Sequence, residues 1–236
     1  MAKKHIIGNQ KYSYSFHRRL SEMPTSWSSP PSDRERIIES AREKFFSHGP
    51  SSVTVDEIAT DLGMSKKTIY KFFPSKEEMV RAVVRFTMAR AANKVGAIVS
   101  ADELFDKKLL RLMTFLGQLL GHTSRRFPME MKRSYPDLWH EIERFRREHI
   151  LEALKSMFVQ GKEEGYFRED VNVDIFILMF TQSVEGIVNP ATLSEHSFST
   201  TDAISNIFSI LFAGALTDDA RATFHLHHDS QPKNKR

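Results

Sequence analysis

From about residue 32 to residue 216, apolar side chains recur at steps of three and four, the period of helices that bury one face. No stretch shows convincing period-two alternation, so the pattern predicts an all-α chain. The first stripe is Ile37, Ile38, Ala41 and Phe45, ending near Gly49-Pro50, and the second is Val55, Ile58, Ala59 and Leu62. A short third helix carries Ile69 and Phe73 inward with Phe72 beside them, and a long fourth helix runs from Ser75 through Met79, Ala82, Val83, Phe86 and Ala89 to near Gly96. Roughly Ala101 to Gly121 forms a strongly apolar helix whose Leu104, Phe105, Leu109, Leu112, Leu116, Leu119 and Leu120 imply burial on several sides. After a break at Thr123 to Pro128 and a short segment, Pro136 opens one long charged helix to Gly165, striped by Leu138, Ile142, Phe145, Ile150, Leu154, Met157 and Phe158. Two apolar helices close the pattern, Asn172 to Val188 and Thr200 to Leu216, separated by Asn189-Pro190 and a polar loop.

Stop and start signals are densest between Ser32 and Met79. Ser32 with Glu35, Thr54 with Glu57 and Ser75 with Glu78 each have the spacing of a capping box, in which a hydroxyl takes an orphan helix amide and the carboxylate reaches back. Gly63 follows the last apolar position of the second helix, where a residue without Cβ turns the chain sharply; Ser65 caps the next helix and Pro74 stops it. That third helix shows Lys66, Lys67, Thr68, Tyr70 and Lys71 around its apolar side, with no acid among them. A helix apolar on one side and cationic on the other packs on a small core while offering ammonium and hydroxyl groups to phosphates and base edges of the DNA major groove.

The run from Thr54 to Met79 resembles the DNA-binding domain of the TetR (tetracycline-repressor-like) family of bacterial transcription regulators. Thr54, Ile58, Ala59, Gly63, Ser65, Tyr70, Phe73, Ser75, Lys76 and Glu77 fall in register with the family run, without a gap. Lys67 departs from it, standing where many members have a small residue, as does Phe72, where Tyr or His is frequent. The resemblance implies a helix-turn-helix domain over residues 32–79 and a helical regulatory and dimerisation domain over 80–217, with a flexible tail at 218–236. It implies double-stranded DNA as partner. Thr54, Tyr70, Lys71 and Lys76 are then the phosphate contacts, and Lys66, Lys67 and Thr68 the base contacts, with Ser65 at the start of the reading helix. It further implies a homodimer on a palindromic operator, since one short helix reads few base pairs and a two-fold pair doubles them. Ile175, Met179, Val184, Ile204, Phe208 and Leu211 are the candidate interface, and the same residues are candidates for the subunit's own core. A repressor released by a small apolar or amphipathic effector is the expected mode of action. Met113, Phe115, His122, Met129, Trp139, Phe145 and Phe176 are candidate pocket residues, because methionine and aromatic side chains line adaptable cavities.

Composition adds milder bounds. A net charge of +4 and a pI near 9.2 suit a nucleic-acid partner without establishing one. The chain has no cysteine, which excludes disulfides, thiolate metal sites and cysteine nucleophiles and fits a cytoplasmic protein. No apolar run is long enough to span a bilayer, and the segment MAKKHIIGNQKYSYSF lacks the apolar centre of a signal peptide. Residues 1–31 are polar, serine-rich and basic, with Pro24, Pro30 and Pro31, and are expected to form a flexible arm; Lys3, Lys4, Lys11, Arg18 and Arg19 would let such an arm reach DNA.

No catalytic residue and no cofactor is expected. The chain has no G-x-S-x-G, H-E-x-x-H or phosphate-cradling glycine loop. His122, His140, His149 and His196 lack metal-helix spacing, and His225, His227 and His228 lie in a polar tail. Glu141, Glu143 and Glu148 with Arg144, Arg146 and Arg147 read as a solvated charged face. Two alternatives share these features: a helical small-molecule-binding protein or enzyme that keeps a helix-turn-helix module, and a regulator controlled by a protein partner.

Overall fold

The computed structural model describes residues 31–222 except 122 and 125, and the side chains of 120, 190, 191 and 194 are also left aside. The basic arm, most of the tail and His122 therefore lie outside the described residues. Within them the chain is helical with no strand, one isolated antiparallel bridge joining Phe167 to Leu216.

Three short helices make the amino-terminal module: α1 (Asp33–His48), α2 (Val55–Leu62) and α3 (Lys66–Phe72), with a 3-10 turn (Pro50–Ser52) between the first two. Two of the expected capping boxes are complete. Thr54 N–H donates to Glu57 Oε2 at 2.7 Å while Glu57 N–H returns to Thr54 Oγ1 at 3.2 Å, and Ser32 and Glu35 do the same. At Ser75 only half of the box forms: Glu78 N–H reaches Ser75 Oγ at 3.1 Å, but the Glu78 carboxylate turns toward Arg81, 3.9 Å away. Gly63 takes the left-handed conformation (φ 63°), and Met64 N–H closes back on Ala59 O at 2.9 Å. Ile37, Ile38, Ala41, Phe45, Val55, Ile58, Ala59, Ile69 and Phe73 are buried together, with Leu62 half-buried at the edge. Phe72, beside the inward pair Ile69 and Phe73, is exposed.

The helix α4 (Lys76–Val99) packs along α1 with Met79, Val80, Val83 and Val84 buried, and its far end enters the second half of the molecule. There follow α5 (Phe105–Gly121), α6 (Arg126–Ser134), α7 (Pro136–Phe145), α8 (Glu152–Glu163), α9 (Val173–Ile187), the short α10 (Pro190–Glu195) and α11 (Thr200–Ala215), of which α5, α7 and α8 pack on α4 while α11 packs on α5 and α9. Leu104, expected inside the fifth helix, lies just before it and is exposed, its carbonyl accepting from Lys107 and Lys108 N–H. The long charged helix is continuous from Pro136 to Glu163 but widens into a π-helical turn at Arg146–Leu151. Its cause is visible in the stripe: Leu138, Ile142, Phe145, Ile150, Leu154 steps four, three, five, four, and the step of five needs one extra residue to keep the apolar side inward. Phe145 and Ile150 are both buried as a result.

The core of this half is aromatic. Phe158 stacks on Phe167 with centroids 4.1 Å apart, Phe105 meets Phe167 edge-on at 5.6 Å, and Phe176 meets Phe212 edge-on at 4.8 Å. Gly161 lets these rings approach α8, since a Cβ there would stand 2.5 Å from Phe105 Cζ and 2.6 Å from Phe167 Cδ2. Gly161→Ala is therefore expected to destabilise the protein by about 1–3 kcal/mol through overpacking, a loss measurable by urea denaturation. An unchanged midpoint would show that the aromatic cluster yields.

Candidate nucleic-acid interface and regulatory cavity

One face of α3 is free of the core. Lys66, Lys67, Tyr70 and Lys71 are exposed and Thr68 is half-buried, so the face is cationic and hydroxyl-bearing. Its start is held by Ser65, whose Oγ accepts from Thr68 N–H at 3.0 Å and shares a hydrogen bond with Thr68 Oγ1 at 2.8 Å. Thr54 is exposed at the start of α2, one hydroxyl lone pair committed to its cap.

The lysines differ in what already holds them. Lys66 Nζ pairs with Asp56 Oδ2 of α2 at 2.9 Å, and that hydrogen bond raises the Lys66 pKa above its usual range. Lys67 and Lys71 form no salt bridge with a described residue. Lys76 is half-buried with its Nζ 3.5 Å from Ser51 O; loss of solvation pushes its pKa down, opposed by the charges of Glu130 and Glu57. The signal for Asp56, which sequence reasoning misses, is its place as an acid in the first turn of α2.

A cavity of about 1270 Å³ opens between α4, α5, α6, α7, the π turn, α9 and α11. Of the pocket candidates, Met113, Met129, Trp139 and Phe145 line it. Phe176 lines a small apolar space within the aromatic core with Phe158, Phe167 and Phe212, and Phe115 is half-buried away from both. Among the interface candidates, Val184, Ile204 and Phe208 line the large cavity and Leu211 is half-buried. Ile175 (58%) and Met179 (51%) are exposed, and they share an open face of α9 and α11 with Leu178 (59%) and Ile210 (71%), which the sequence reading passed over.

Cavity and DNA module meet at one joint. Glu130 of α6 accepts from Ser51 N–H at 2.7 Å, Ser124 N–H donates to Phe46 O at 2.7 Å, and Phe127 stacks on Phe46 at 4.3 Å. Gly49 has φ 85°, and a Cβ on it would lie 2.7 Å from Glu130 Oε1. Phe127, Ser124 and Phe46 of this joint also line the cavity, as does Met129 beside Glu130, so the joint and the cavity wall share residues. On the other side Arg85 and Glu141 form a two-bond pair at 2.9 and 3.0 Å between α4 and α7. No group of three His, Asp or Glu residues that could hold a metal occurs among the described residues, and no helix there is long and apolar enough to cross a membrane.

A three-helix module with an exposed cationic third helix, joined to a larger helical half around a cavity, defines a DNA-binding helix-turn-helix protein. Residues 37–83 match the model of the bacterial regulatory proteins, tetR family. An uncharacterized HTH-type transcriptional regulator, YvaF of Bacillus subtilis (strain 168), is 26% identical over 169 residues, spanning 71% of this chain and 88% of its own. A TetR transcriptional regulator from Legionella pneumophila superposes with a TM-score of 0.60 at 18% identity, covering 78% of this chain and 98% of that one. The transcriptional regulator FadR from Bacillus subtilis, solved in complex with stearoyl-CoA, gives 0.55 at 18% identity, covering 76% and 97%. The amino-terminal module is thus of the tetR-family type, and the chain, similar over most of its length to regulators of that kind, is a DNA-binding transcriptional regulator.

The Asp56 pairing makes a prediction. Binding DNA through Lys66 means exchanging Asp56 for a phosphate or base edge, so Asp56→Asn should bind duplex DNA several-fold tighter at low salt, with a log–log salt slope steeper by about one. Fluorescence anisotropy across a salt series measures both; unchanged affinity and slope would place Lys66 outside the interface.

Proposed function

We propose that this regulator acts as a homodimeric, effector-released repressor of a palindromic operator in the cytoplasm. The observation that carries the reading is the shared wall: the same α6 segment lines the cavity and grips the turn that leads into α2. A molecule filling the cavity presses on Phe127 and Met129, one of which neighbours Glu130, and displacement of α6 moves the Gly49–Ser52 turn and the helices behind it. The division into residues 32–79 and 80–217 is a functional one, with α4 crossing it and tying the halves together. An effector releases DNA only by the difference in its affinity for the DNA-competent and incompetent states, so filling the cavity must alter the joint and not simply be tight.

The open apolar face of Ile175, Leu178, Met179 and Ile210 supports pairing with a second copy, because four large apolar side chains on two adjacent helices are a poor solvent surface. Val184, Ile204 and Phe208 then serve the cavity rather than the interface. On DNA we assign Thr54, Tyr70, Lys71 and Lys76 to phosphates and Lys66, Lys67 and Thr68 to base edges, with Ser65 holding the reading helix. No group in this reading carries out bond-making chemistry. The effector is a small apolar or amphipathic molecule, in keeping with the cavity lining and with the FadR relative's stearoyl-CoA.

Two measurements test the reading. Leu178→Glu should convert the dimer to a monomer by sedimentation and lower affinity for the inverted repeat upstream of its own gene by at least about tenfold, as the second half-site is lost. Lys67→Ala should flatten the preference for operator over random duplex, whereas Lys76→Ala should weaken both by a similar factor. A monomeric wild type, or identical effects of the two lysine variants, would contradict the assignment.

A further inference from the structure

Serines that precede helices in this chain serve as caps: Ser32, Ser65, Ser75 and Ser199 each accept a helix amide on Oγ, at 3.4, 3.0, 3.1 and 3.1 Å. Ser124 also stands just before a helix, α6, and does not cap it. The Phe127 N–H goes to the Ser124 carbonyl at 3.2 Å, and Ser124 Oγ is buried with no partner on the wall of the large cavity. Other hydroxyls of that wall are accounted for. Thr87, Thr114, Thr123 and Thr181 each donate to a carbonyl one turn earlier, at 2.9, 2.8, 2.9 and 3.0 Å, while Ser205 and Ser209 are exposed. Arg146 Nε is a second buried atom of the wall without a partner, but its guanidinium already binds Glu185. Among the described residues, Ser124 Oγ is thus the one buried hydroxyl left without a hydrogen bond. Such a group costs stability, and on a cavity wall it is explained by a ligand that supplies the missing bond.

Resting on the effector reading above, we propose that Ser124 Oγ anchors the head of an uncharged amphipath, a chain ending in a hydroxyl or carbonyl oxygen, whose apolar part lies in the cavity. The immediate surroundings favour a neutral head. Ser124 sits between Phe46, whose carbonyl takes its N–H at 2.7 Å, and Phe127, and the rings of these two neighbours stack at 4.3 Å. Against one hydroxyl and two rings an ionised head loses more solvation than it regains, whereas an alcohol or ketone exchanges one hydrogen bond to water for one to Ser124. The Ser124 hydroxyl donates to a ligand carbonyl or accepts from a ligand hydroxyl. A few placed polar groups in a mainly apolar cavity fix a ligand's orientation, and here the placed group belongs to the joint. An anchored head therefore bears on the residue whose amide ties the start of α6 to α1.

The full chain is titrated calorimetrically at neutral pH with octan-1-ol, octan-2-one, octanoate and 1-chlorooctane, each below its solubility limit. The alcohol or the ketone should bind at least about fivefold tighter than the chloride, the worth of one neutral hydrogen bond, and octanoate no tighter than the chloride. Ser124→Ala should bring alcohol and ketone down to the affinity of the chloride and leave the chloride unchanged. Without ligand the same variant should keep or raise its Tm, because the hydroxyl bonds to nothing in the fold. A tighter alcohol identifies a hydroxyl head and a tighter ketone a carbonyl head, and either supports the anchor. Equal binding of alcohol, ketone and chloride, octanoate as the tightest probe, a preference that survives Ser124→Ala, a Tm lowered by that substitution, or no binding by any probe overturns it. Adding operator DNA separates the anchor from the effector reading. A Ser124-dependent preference with unchanged DNA affinity leaves the anchor standing and removes the effector reading, while DNA release by alcohol and chloride of equal affinity does the reverse.

Discussion

The turn between α1 and α2 is gripped by a carboxylate from the second half of the molecule, at a joint that adds to the continuous helix α4 in holding the two halves together. Glu130 reaches from α6 to take the Ser51 amide, lies beside the Cα of Gly49, and attracts Lys76 from the start of α4. The geometry tolerates no side chain at residue 49, for two reasons that coincide: the backbone is left-handed there and the carboxylate fills the space a Cβ would take. Around it, the Phe46–Phe127 stack and the Ser124–Phe46 hydrogen bond make the contact broad enough for α6 to move with the turn. In the proposed effector release, this contact is what carries a displacement of α6 on the cavity side to the DNA side.

The DNA module itself is held by local chemistry. Thr54, Ser65 and Ser75 each satisfy a helix start, Gly63 closes α2, and the small core leaves α3 with a cationic face that owes nothing to the rest of the molecule. The Lys66–Asp56 pair holds one lysine of that face, while Lys67 and Lys71 form no salt bridge with a described residue.

These local devices are what made the first half legible from residues alone. Capping spacing, the glycine at residue 63 and the proline at residue 74 act within a turn of themselves, so the sequence contains the whole cause. The second half was legible as helices but not as faces. From Ile175 to Phe180 every position of α9 is apolar, so Phe176 and Phe180, which turn into the aromatic core, carry the same signal as Ile175, Leu178 and Met179, which turn out. Trp139, Met113, Met129 and Phe145 were assigned to a pocket by residue type, and type alone equally nominated Phe115 and Phe176, which lie away from the large cavity. The π turn was written in the five-residue step from Phe145 to Ile150, a sign that a helix stripe read only for threes and fours passes over. Glu130 and Ser51, 79 residues apart, had no local signal at all.

The central claim is that occupancy of the cavity is felt at the Glu130–Ser51 contact. Amide hydrogen exchange at Ser51, followed by nuclear magnetic resonance with and without a cavity-filling amphipath that releases DNA, reports that contact directly. Faster Ser51 exchange in the ligand-bound protein, with the α2 and α3 amides still protected, is the predicted result. Ser51 protection unchanged by a ligand that does release DNA would contradict the account.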